Sequence, residues 1–274
     1  MTSVVNVEGA AGFNPPRVEV WWRACRYEAR HLAALRSTWI LLGIVGLLAV
    51  WVPVAAPFIV ESSKDTTDPM LVESVQWTPS LMQMPTLGFY LLALGTGPVS
   101  AELMRGAART AWLVAASRSY AFWSKCAVGA TVGVAVSVAA ALLEVGGLAV
   151  VATAKGIDQP LWGQLMAAAV RLAVWIVCWM MLCTSVSALL RNRVGPVLVL
   201  LLVPSLGERI LGALASRIPG IDLSAMGEWL PFAAGQSMLS DGATPRGMLG
   251  GAVFVAFTVA VAVVGHAVYV RRAD

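Results

Sequence analysis

The chain has 274 residues, of which 58% are hydrophobic and 12% charged, and its formal net charge is +4. Soluble domains carry about a quarter charged residues, so this composition excludes a water-soluble globular domain. Nor does the positive excess indicate nucleic acid, because in so apolar a chain the informative quantity is which loops hold Lys and Arg.

The charges are clustered, and stretches free of Asp, Glu, Lys and Arg run over 37–60, 74–101, 126–143, 172–190 and 247–270. About 20 apolar residues cross a hydrocarbon core of roughly 30 Å. The expected fold is all-α: a polytopic membrane protein of six transmembrane helices, with an N-terminal amphipathic interfacial helix and re-entrant half-helices between spans five and six.

Residues 1–16 read as a disordered N-terminus, and 37–274 as a single transmembrane domain. Asn14-Pro15-Pro16 supplies a cap and an early proline for a helix over 17–36. Arg23, Arg26 and Arg30 recur on one face of it and Val18, Trp21, Cys25, Ala29 and Leu32 on another. With Trp21 and Trp22 beside the arginines, this is the pattern of a helix lying in the membrane interface.

The first span is expected over 38–58, followed by an outer loop of mixed charge over 61–77. The second, over 82–102, is interrupted by Gly95-Thr96-Gly97-Pro98. A charged segment then carries Glu102, Arg105, Arg109, Arg118 and Lys125. The third span, over 122–151, contains Gly129-x-x-x-Gly133, a spacing that lets helices approach closely. A turn over 154–160 leads to the fourth span, over 162–190, and Arg191-Asn192-Arg193 makes a tight turn after it. The uncharged run 194–207 gives only about 21 Å of helix, short for a full span. Residues 208–246, with three prolines and several glycines, read as outer half-helices that dip back into the bilayer. The last span covers 247–270 and stops at Arg271-Arg272.

With six spans and an inward N-terminus, thirteen of the nineteen basic residues fall on inward segments. Both termini are therefore expected in the cytoplasm.

Glu144 and Arg171 are the ionisable residues deepest in the expected spans, and they flank the third turn symmetrically. They are expected at one depth, either paired or both lining a watered cavity; the alternative is that Arg171 snorkels outward while Glu144 is protonated or faces another helix. Cys25, Cys126, Cys178 and Cys183 lack metal-ligand spacing, so no metal site is expected. His31 and His266 are isolated and read as structural. No metalloprotease pair, nucleophile elbow or phosphate loop is present in the sequence, so catalysis is not expected of this chain.

Several segments together resemble the membrane subunit of type-2 ATP-binding-cassette (ABC) exporters. They are the amphipathic helix running into Ala34-Leu35-Arg36-Ser37-Thr38-Trp39; Glu102-x-x-Arg105-Gly106 with Arg109-Thr110, Ser117-Arg118 and Lys125; Leu189-Leu190-Arg191-Asn192 with Gly195-Pro196; and Trp229-Leu230-Pro231-Phe232-Ala233-Ala234. The resemblance covers nearly the whole chain from residue 17. It implies a multi-pass permease of the bacterial cell membrane that exports a hydrophobic or amphipathic cargo such as a drug, antibiotic, lipid or lipopeptide. The Ala, Val and Arg excess with only three lysines suits a G+C-rich bacterial genome. The implied partners are a cytoplasmic ABC ATPase in two copies, a second permease subunit (identical or different) and membrane lipid, with no nucleic acid. This chain would bind no cofactor, ATP and Mg being used by the partner ATPase. Glu102, Arg105, Arg109 and Arg118 would form the ATPase-coupling surface, although the same arginines also suit lipid phosphate. The alternative function is a non-transporting membrane sensor or scaffold of permease-like architecture.

Overall fold

A computed structural model describes residues 17–62, 84–105, 112, 115, 117–155, 162–190, 192, 194–215 and 227–271. The expected disordered stretch 1–16, most of the loop 61–77, and Arg109, Arg191, Arg193 and Arg272 lie outside the described residues. Every described element is a helix, and five are long and apolar enough to cross a membrane; a sixth candidate is a bent helix pair at the N-terminus. The chain is an all-α, multi-pass membrane protein.

Helix α1 (Arg17–Ala34) meets α2 (Arg36–Ser62) at a bend of 73°. The bend falls at Leu35, and the Trp39 indole donates to the carbonyl of Ala33 at 2.8 Å, satisfying one of the orphan acceptors at the end of α1. Arg23, Arg26, Arg30 and Trp22 are exposed, as expected, while Trp21 is half-buried edge-on to Tyr120. The inward face is not the one that hydrophobicity selects. The buried residues are Val20, Ala24, Glu28 and Leu32, and Val18 is exposed. The face has turned because a carboxylate, Glu28, has a cationic partner inside.

Helices α3 (Thr86–Arg105), α4 (Arg118–Lys155) and α5 (Trp162–Leu189) follow as the second, third and fourth spans. Helix α5 is the hub and packs against both of the others. In lipid there is little hydrophobic drive between helices, so close packing through small residues decides which faces meet. Trp175 and Trp179, one turn apart and fully buried, stack at 5.1 Å, and the Trp179 indole donates to the carbonyl of Gly88 at 2.8 Å. Gly129 and Gly133 do form a seam, lying against Met180 and Ile176 of α5.

The fifth span differs from expectation. After the Gly195 amide donates to the Asn192 side chain, α6 (Gly195–Leu202) passes through a π-helical turn (Val203–Gly207) into α7 (Glu208–Ala215). The span is therefore continuous over Gly195–Leu214 rather than ending near 207. The wide turn accommodates Pro204, which has no amide to give. Helix α8 (Pro231–Ser240) then folds as a hairpin on α9 (Pro245–Arg271), the last span. Thr244 caps α9 by accepting from the Gly247 amide at 3.1 Å, with Pro245 in the first turn. At ten residues, α8 is about 15 Å long, half the length of a bilayer crossing. Phe232 of α8 and Phe254 of α9 close the core over Trp175 and Trp179.

Candidate functional site

At the end of the bundle where α1 lies, three charged side chains meet out of solvent. Lys125, on the second turn of α4, bonds to Glu102 of α3 at 2.8 Å and also to Glu28 of α1. All three residues are at most 5% exposed. A buried ammonium needs a counter-charge, and each buried carboxylate needs a donor, so one lysine draws two helices onto a third. Both carboxylates ionised would leave a net charge of −1 inside the knot. Burial, partly opposed by Lys125 and reinforced by Glu102, raises the Glu28 carboxyl above its ordinary range. Beside the knot is a cavity of about 20 Å³, lined in part by Glu28, Pro98, Lys125, Gly129 and Thr184, which is room for one water-sized molecule. Pro98 also removes the amide that would otherwise serve the Leu94 carbonyl on the same wall.

A second set of contacts joins the start of α4 to the far end of α9. Ser119 and His266 share a hydrogen bond of 2.8 Å, and the Trp112 indole donates to the Tyr269 hydroxyl at 3.1 Å. Arg118 donates to the carbonyl of Val270 at 3.1 Å, and its guanidinium lies 5.1 Å from the centre of the Trp112 ring. Phe122 packs on both His266 and Tyr269. His266 is thus held between Ser119 and Phe122, and His31 stacks on Tyr27 one turn away.

These contacts describe two residues of the expected coupling surface. The Glu102 side chain is buried and turns inward to Lys125. Arg118 is half-buried and engaged with α9 and Trp112 rather than projecting freely. Arg105 ends α3, and Arg109 lies outside the described residues. Glu28 and Lys125 complete the site. Lys125 is legible in the sequence only as an inward positive charge, and Glu28 gives a single signal, a carboxylate in register with Ala24 and Leu32 on α1.

Among the described residues, ion pairs join Lys125 to Glu28 and Glu102, and Arg246 to Glu228. Glu144 is wholly buried on α4, whereas the Arg171 side chain runs against Gly242 in the turn between α8 and α9. The glycine leaves room there that a longer residue would occupy, so Arg171 turns toward that end of the bundle.

Among the described residues no group of three or more His, Cys, Asp or Glu is placed to hold a metal ion. Cys126, Cys178 and Cys183 are buried free thiols and Cys25 is half-buried. The chain matches no protein-family model, no curated protein and no solved structure.

Proposed function

We propose that this chain is the permease subunit of an ATP-driven exporter of the type-2 ABC class in a bacterial cell membrane, with both termini cytoplasmic. One observation carries the reading: the interfacial helix α1 is joined by a buried ionic knot to the end of α3, immediately before the basic segment 105–118. A push on that segment by a cytoplasmic motor would reach α1, α3 and α4 together, because Lys125 of α4 binds both α1 and α3. In this reading Arg105 and Arg109 meet the ATPase directly. Glu102 and Lys125 transmit the movement, and Arg118 passes it to α9 through Val270. Two copies of the permease, or this chain with a homologous one, would enclose the path for a hydrophobic or amphipathic cargo.

The test is affinity purification of the full chain from its native membrane, followed by assay in lipid vesicles. Recovery of an ATPase bearing a phosphate loop, with ATP hydrolysis stimulated by candidate cargo, supports the proposal. Arg105→Glu with Arg109→Glu should then reduce recovery of that ATPase at unchanged membrane insertion. Recovery of the chain without any such ATPase, or labelling of the 105–118 segment from the extracytoplasmic side, overturns it in favour of a sensor or scaffold.

A further inference from the structure

We propose that Arg171 and the groove beside α9 form a binding site for a membrane phospholipid, with the guanidinium on its phosphate and an acyl chain along α9. The groove is about 540 Å³, opens sideways between α5 and the α8–α9 hairpin, and is lined in part by Arg171, Val174, Met248, Gly251, Ala252 and Val255. Apart from Arg171, these are apolar or small residues. Met248, Ala252 and Val255 are exposed, so the wall continues into the lipid-facing surface of the bundle.

Among the described residues the arginine has no counter-charge. Its Nε is buried without a hydrogen-bond partner, and no ion pair to it is made among the described residues. Arg246, on the first turn of α9, is engaged by Glu228, and the exposed Asp241 does not line the groove. A Cβ on Gly242 would come within 2.2 Å of Arg171 Cδ and 2.8 Å of its Nη1, so the turn is shaped around this side chain. That turn immediately precedes α9, a candidate span, so the guanidinium lies near one end of it, the part of a span that would face lipid phosphates. A planar guanidinium takes phosphate oxygens through two parallel hydrogen bonds. A free inorganic anion would gain nothing from the apolar wall, and a neutral glyceride would leave the cation unpaired. A phospholipid satisfies both. The site is independent of the permease reading, since a scaffold would bear it equally.

The experiment uses the purified, delipidated full chain in detergent, titrated with phosphatidylglycerol and read by native mass spectrometry. One retained phospholipid is expected, with apparent affinity at least tenfold weaker in Arg171→Gln and largely kept in Arg171→Lys. Ala252→Phe, which fills the groove without touching the charge, should also displace the lipid, and it keeps the test decisive if Arg171→Gln fails to fold. Diacylglycerol and inorganic phosphate are the control probes. Equal retention of diacylglycerol, equal competition by phosphate alone, or undiminished binding by folded Arg171→Gln or Ala252→Phe would each overturn the proposal.

Discussion

Glu208, inside the fifth span, accepts hydrogen bonds from the backbone amides of Phe232 at 2.9 Å and of its neighbour Ala233 at 2.8 Å. Those amides belong to the first turn of α8, which has no side-chain cap of its own. A carboxylate there meets the positive end of the helix dipole as well as two donors that would otherwise be orphaned. This contact both permits an acid in a candidate membrane span and holds the short helix α8. Glu208→Ala is expected to destabilise the protein by about 1–3 kcal/mol, with Glu208→Gln falling between it and the wild type. The thermal exposure of the buried thiols Cys126, Cys178 and Cys183 to a thiol-reactive dye in detergent measures this, and an unchanged midpoint for Glu208→Ala would refute it.

Removing Lys125 leaves two buried carboxylates facing each other. Lys125→Met alone should destabilise by about 3–5 kcal/mol, the usual consequence of breaking a buried ion pair from one side. Adding Glu28→Gln and Glu102→Gln should restore most of that loss, because no uncompensated charge then remains. The same thermal assay decides, and a triple variant no more stable than Lys125→Met would show that the charges are not what binds these helices.

The raised Glu28 carboxyl predicts a pH dependence with a definite sign. The folded state holds the Glu28 proton more tightly than the unfolded state does. The stabilisation from this proton is full below the unfolded value of 4.5 and is lost as pH rises through the higher folded value. The stability difference between wild type and Glu28→Gln should therefore shift against the wild type as pH rises across that window. A difference that is flat or moves the other way would contradict the assignment.

Gly129 and Gly133 share a face of α4 but differ in clearance. A Cβ at Gly133 would lie 2.8 Å from Ile176 Cγ2 and 2.9 Å from Met180 Cγ, while at Gly129 the nearest atom is Met180 Cε at 3.5 Å. Gly133→Ala is expected to destabilise by overpacking, by about 1–3 kcal/mol. Gly129→Ala should be neutral or slightly stabilising, since alanine is the better helix former by about 1 kcal/mol. Midpoints from the thiol assay that rank the two variants in the opposite order would show that the seam is not packed this way.

Hydropathy located the candidate spans apart from the end of the fifth, because crossing a bilayer demands long apolar stretches and this chain interrupts them sharply at 102–125 and 191–193. The amphipathic start was legible for the same reason: arginines at spacings of three and four can share only one face of a helix. Tertiary structure decided where the charges go. Glu28 sits on the buried face of α1, Glu102 turns inward and Glu208 lies within a span, because each finds donors supplied by another helix. No periodicity along one segment encodes a partner twenty-three or ninety-seven residues away, yet that partner determines whether burying a carboxylate is tolerable. Arg171 shows the same limit: its symmetry with Glu144 about a turn is visible in the sequence, whereas its approach to Gly242 is decided by the packing of the α8–α9 turn against α5.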